Sequence, residues 1–192
     1  MKKAIVILTL CLFFALLPAQ EKPSAEQQKA MEAFMKAGAV TENHEFLKKY
    51  AGSWDCQVKG WMAPGQPPTV SQGSFTGEMR LDGRFLFMDF QGEMFGQPFV
   101  GLQIIGFDNM QQKYVSLWLD NTSTLMFMTM GTRQDNVISE TGLWPDPVSG
   151  DELPVKARTT WTGADEYLYE QFMVQPDQSE FKSMEMSCKR RK

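Results

Sequence analysis

The sequence predicts an all-β fold: an antiparallel up-and-down β-barrel of about ten strands behind an N-terminal helical segment. Three observations carry this expectation. After Gly52, turn residues recur about every ten positions, with aromatic and β-branched residues between them. No helical period interrupts that stretch, and short strands at such spacing indicate a sandwich or barrel. The joins are short, which favours a meander, and a meander closes most simply as an up-and-down barrel.

Residues 1–19, MKKAIVILTLCLFFALLPA, read as a signal peptide. Lys2 and Lys3 make a positive start. Ala4 to Leu17 is an apolar stretch short for a membrane span and suited to a signal core, and Ala19 fits the position before cleavage. Leu10 is too large to precede a lipidated Cys11. Removing the segment takes away two lysines and moves the net charge from −4 to −6. The expected product is exported, periplasmic or secreted, with no integral membrane segment in the mature chain.

Residues 20–52 form a helical lead-in. Ser24 is placed to cap a helix over 24–37, with Met31, Phe34 and Met35 as its apolar stripe and Gly38 as its stop. A second short helix is expected over 42–50, capped by Thr41, with Phe46, Leu47 and Tyr50 on its apolar side. The barrel domain follows over 53–192. Its strands are expected at 53–61, 70–80, 84–93, 98–107, 112–120, 124–132, 136–142, 153–162, 166–174 and 180–190. Asp82-Gly83, Phe95-Gly96, Asp108-Asn109, Asp135-Asn136, Gly163-Ala164-Asp165 and Pro176-Asp177 supply turn chemistry.

The two outermost strands alternate cleanly. Trp54, Cys56 and Val58 alternate with Asp55, Gln57 and Lys59; Met184, Met186 and Cys188 alternate with Glu185, Ser187 and Lys189. Both cysteines fall on the apolar face. Barrel closure makes these strands neighbours and sets Cys56 opposite Cys188 at disulfide range if the register agrees; two buried thiols are the other reading. The middle strands RFLFMDFQGEM, VGLQIIGF and TLMFMTMG are apolar on both faces. Their outer side needs a cover, either the first helix or a second subunit in a homodimer.

Composition narrows the function classes. The chain is 43% hydrophobic and 22% charged, which suits a packed core and excludes a disordered polyelectrolyte. A net charge of −4 offers no footprint for nucleic acid. The one histidine, His44, argues against a multi-histidine metal site or paired-histidine haem ligation, so no cofactor and no metal are expected. His44 reads as a helix-end residue packing near Trp54. No Gly-x-Ser-x-Gly elbow occurs, and no catalytic residue is assigned.

The opening Gly52-Ser53-Trp54 after a short helix resembles the start of a lipocalin-type barrel. That resemblance implies a structural role for Trp54 beneath a basic residue of the last strand, here Arg190. The segments HEFLKKYAGSWDCQVKGWMAPGQPP, PFVGLQIIGFDNMQQKYVSLWLDNTSTLM and GLWPDP resemble the bacterial domain of unknown function 1579, a calycin-like barrel family. The likeness covers most of 44–190. It implies a barrel and no established activity.

A ten-strand barrel has room for a cavity, since diameter grows with strand number. Phe87, Trp118, Phe127, Met128, Trp161, Tyr169 and Met184 are the large soft side chains placed as inward candidates; they either line a ligand or fill the core. Asp120, followed by Asn121-Thr122-Ser123-Thr124, is the candidate rim site beside Trp118, with an Asx-type turn as the equal alternative. The facing of Asp89, Glu93 and Asp120 is undetermined by period. The expected function is binding of a small hydrophobic or amphipathic ligand. The alternatives are an enzyme using Asp120 or Glu93 as acid–base, and a homo-oligomeric interaction protein.

Overall fold

The computed structural model describes residues 22–147, 149–175 and 177–192. The signal segment 1–19 lies outside the described residues. The chain divides into two compact units, the residues up to Met35 and Lys36–Lys192.

In the first unit, Ser24 receives the Gln27 backbone N–H on its hydroxyl, and helix α1 runs Ala25–Ala37. Its residues Met31, Phe34 and Met35 are exposed. Among the described residues no helix is long and apolar enough to cross a membrane.

The second unit opens with α2 (Glu42–Leu47) and the one-turn 3₁₀ helix η1 (Lys48–Tyr50). Thr41 caps α2 through a reciprocal pair: its hydroxyl meets the His44 backbone, and His44 Nδ1 accepts the Thr41 N–H at 3.0 Å. Ten strands follow: β1 Gly52–Gly60, β2 Thr69–Arg80, β3 Phe85–Met94, β4 Gln97–Asp108, β5 Lys113–Asp120, β6 Phe127–Gln134, β7 Val137–Pro145, β8 Glu152–Gly163, β9 Glu166–Val174 and β10 Glu180–Arg190. Each pairs antiparallel with its sequence neighbours, and β1 pairs with β10 to close the barrel.

The strand ends agree with the expected bounds to within two residues except at the end of β7, which continues to Pro145 rather than 142, and at the start of β6, which is Phe127 rather than 124. Asp120 explains the delay. Its Oδ1 accepts the N–H groups of Thr122 and Ser123 at 2.8 and 3.1 Å, and Ser123 Oγ accepts the Leu125 N–H. These side-chain bonds satisfy donors that a ladder would otherwise use, so 121–126 stays a loop.

Closure sets Cys56 opposite Cys188, with the two sulfurs bonded and the Cα atoms 4.1 Å apart. One end of the barrel is sealed. Phe46, Leu47 and Tyr50 of α2 and η1 are buried there with Trp54, Trp161 and Tyr167. Trp54 Nε1 donates to the Tyr50 carbonyl, and the Arg190 guanidinium lies 4.2 Å over the Trp54 ring. Arg190 also donates to the Ala51 and Lys49 carbonyls and to Asp165. Gly52 lets the chain pass: its φ is +103°, and a Cβ there would sit 3.0 Å from Arg190 Nη1. His44 belongs to this plug, with its ring edge against Phe107 at 5.9 Å rather than beside Trp54.

Candidate functional site

The lumen is layered along its axis. At the sealed end Tyr50, Trp54, Trp161 and Tyr167 contact one another with centroids 4.9–5.6 Å apart, edge to face except for the tilted Trp161–Tyr167 pair. At the opposite end Phe75, Phe90, Phe99 and Trp118 form a second aromatic group, and Phe127 packs on Trp144. The Trp118 rings occupy the space above Gly101, where a Cβ would approach them to 2.3 Å.

Between these layers lies a cavity of about 30 Å³, enough for one or two water molecules. Its apolar wall includes Met88, Ile105, Ile138 and Met186; its polar wall includes Gln103, Glu140, Thr159 and Tyr169. Glu140 stands out chemically. It sits on β7 facing Gly131 of β6 and Ala157 of β8, and it is 8% exposed. Thr129 Oγ1 donates to its Oε1 at 3.1 Å. No basic group acts on it: burial pushes its carboxyl up to about 7, and the Thr129 hydrogen bond opposes the rise. Burial likewise pushes the phenols of Tyr50, Tyr167 and Tyr169 well above their ordinary range, so they stay protonated.

The sequence candidates distribute unevenly around this centre. Trp161 is buried at the sealed end, Tyr169 lines the cavity, and Trp118 is half-buried near the open mouth. Phe127 and Met184 share the inward parity of Thr129 and Met186. Phe87 and Met128 are corrected. Both point outward, Phe87 beneath the Arg80 guanidinium and Met128 53% exposed, because every second residue on these two-sided strands is apolar whichever way it faces. Asp89 and Glu93 are exposed on the outer wall of β3, so neither carboxyl faces the lumen. Thr124 is exposed in the loop before β6.

Asp120 is at the rim, but its oxygens are committed. Trp118 Nε1 donates to Oδ2 at 2.9 Å, and the Thr122 hydroxyl donates to Oδ1 at 2.6 Å. Burial opposes its ionisation, and the bonds from Thr122, Trp118 and Ser123 outweigh burial and hold the carboxyl below its usual range. It is the Asx-type turn. Beside the same mouth, Trp61, Ala63–Gln66, Phe181 and Lys182 line a broad depression of about 460 Å³ on the outside.

The interior carboxyl was not among the sequence candidates. The signal available was that Ile138 and Trp144 share its parity on β7, although Val137 and Leu143 on the other face are apolar too.

The outer wall is two-sided in character. Across β3 to β7, Phe87, Ile104, Leu117, Met128 and Leu143 form a continuous apolar row. Across β8, β9, β10 and β1, Arg158, Glu170, Lys182, Glu185 and Lys59 form a chain of ion pairs at 2.5–2.9 Å.

Comparison with solved structures finds the crystal structure of Rv2717c from M. tuberculosis, 15% identical, with a TM-score of 0.60 over 80% of this chain and 100% of that one. A redesigned beta barrel, b11L5F_LGL, is 12% identical with a TM-score of 0.41, over 76% of this chain and 95% of its own. At such identities the first shows a shared fold alone. No curated protein matches in sequence. The model of a protein family of unknown function, DUF1579, matches residues 39–190, nearly the whole barrel unit with its plug, and the chain belongs to that family.

Proposed function

We propose that this chain is an exported binding barrel, holding a small amphipathic molecule by its polar head in the lumen at Glu140. The observation that carries this reading is a carboxyl buried beside a cavity with no basic partner. Isolated buried carboxyls are costly, and a barrel selected for stability alone would place an apolar residue there. The cavity takes a polar head, and an apolar remainder would displace the Phe75, Phe90, Phe99 and Trp118 rings that pack above it. Export is supported by the signal-like segment 1–19 and by the Cys56–Cys188 disulfide, a bond that persists in oxidising compartments.

The test is native purification followed by extraction and mass spectrometry of the wild type and of Glu140→Gln. The wild type is expected to carry a stoichiometric small molecule that the variant loses. Empty protein from both would overturn the reading.

The apolar row on β3 to β7 favours a second property, homodimer formation through that wall, while the ion-paired wall on β8 to β1 stays in solvent. Sedimentation of the wild type and of Leu117→Lys checks it. The dimer should dissociate in the variant, and a wild type that is monomeric at high concentration removes the idea.

A further inference from the structure

The identity of the polar head follows from what Glu140 lacks. Every element packed on the cavity contributes neutral groups toward it. The titratable ones are phenols: Tyr50 from η1, Tyr114 from β5, Tyr167 and Tyr169 from β9. The cations of the sealed end are engaged elsewhere: Arg133 on β6 donates to the Tyr114 hydroxyl and the Asp135 carbonyl and covers the Phe46 ring, Lys49 lies over the Phe46 and Trp161 rings, and Arg190 covers Trp54 and bonds Asp165. Among the described residues Glu140 forms no ion pair. A neutral guest would leave its charge uncompensated, and a glutamine would serve a neutral guest equally well. A cation supplies the missing charge, and the hydroxyl oxygen of Thr159 offers a further acceptor for its N–H groups. Tyr50, Phe75 and Tyr167 line the same cavity, and an aromatic ring face attracts a cation. The cavity volume suits an ammonium group and excludes a guanidinium with its first methylenes.

We infer that the head bound in the lumen is a primary ammonium, with Glu140 as its counter-ion and Thr129 orienting the carboxylate. This rests on the binding reading above. Because burial pushes the carboxyl up to about 7, the free site is partly protonated at neutral pH, and ammonium binding must displace that proton.

The probes are methylammonium chloride and its neutral match in size, methanol. Binding is followed by the ¹³C signal of the Glu140 carboxyl and by thermal shift between pH 5 and 8. Methylammonium affinity should rise nearly tenfold per pH unit below the carboxyl pKa and level off above it, and its presence should lower that pKa. Methanol should bind at least tenfold more weakly and without pH dependence. Glu140→Gln should lose the methylammonium response, and Thr129→Val, which keeps the carboxyl, should weaken it severalfold. Equal binding of methanol, affinity that falls as pH rises, or an unchanged response in Glu140→Gln would overturn the ammonium assignment. A neutral molecule extracted from the wild type and lost from Glu140→Gln would overturn it while leaving the lumen reading intact. Empty native protein that binds neither probe would remove both.

Discussion

Glu140 concentrates the cost of the site in one side chain. Its carboxyl is held at about 7 in the fold, against 4.5 for the ordinary group. Below pH 4.5 both folded and unfolded chains carry the proton, and Glu140 costs nothing electrostatically. Between 4.5 and 7 the unfolded chain ionises first, so stability falls as pH rises, and above 7 the full penalty is present. The shift corresponds to roughly 3 kcal/mol at 1.36 kcal/mol per unit. Glu140→Gln in the guest-free protein is therefore expected to be more stable at pH 8 by up to about 3 kcal/mol, and nearly unchanged at pH 4. Urea unfolding at both values measures this; an equal effect at the two would show that the substitution acts through packing. His44 contributes the opposite slope. Burial first, and Arg84 second, lower its affinity for a proton, so stability falls as pH drops below 6.5. The difference between wild type and Glu140→Gln cancels that contribution.

At the scale of elements, legibility depended on whether a strand has one wet face. β1 and β10 do, and their alternation orients Trp54, Cys56, Met186 and Cys188 inward from the sequence alone. β3 and β6 do not. Phe87 and Met128 belong to the apolar row on the outer wall, and their inward neighbours Leu86, Met88, Phe127 and Thr129 are no more hydrophobic as a set. Period-2 reasoning has no contrast to work with there. The lumen carboxyl was hidden for the complementary reason. A glutamate in a strand ordinarily marks the solvent face, and on β7 both faces also carry apolar residues. The strand count and most turns were legible because turn chemistry is local. Asp120 shows the limit of that locality. Its carboxylate can anchor a ligand or cap its own loop, and which one follows depends on Trp118 reaching back to it from the same strand.

For the whole molecule the decisive contact is the seam between β1 and β10. A ten-strand meander has two free edges until these strands meet, and unpaired edges invite association. Seven register pairs join them, from Trp54–Arg190 to Gly60–Met184. Lys59–Glu185 and Arg191–Asp55 bridge the same seam outside the barrel. The disulfide at Cys56–Cys188 ties residues 132 positions apart, so it restrains nearly the entire unfolded barrel. Restraint of so long a loop is worth about 2–4 kcal/mol in practice. The double variant Cys56→Ser, Cys188→Ser should keep the fold, because the ladder and the Arg190–Trp54 stack remain. Its unfolding free energy should fall by that amount, and its urea midpoint with it. Its dependence on urea should steepen as well, since the unfolded chain expands without the link. Reducing the wild type with a thiol should reproduce the variant's midpoint. If reduction leaves the midpoint where it was while the variant's falls, the loss comes from the buried hydroxyls rather than from the broken loop, since serine in that apolar layer carries its own desolvation cost.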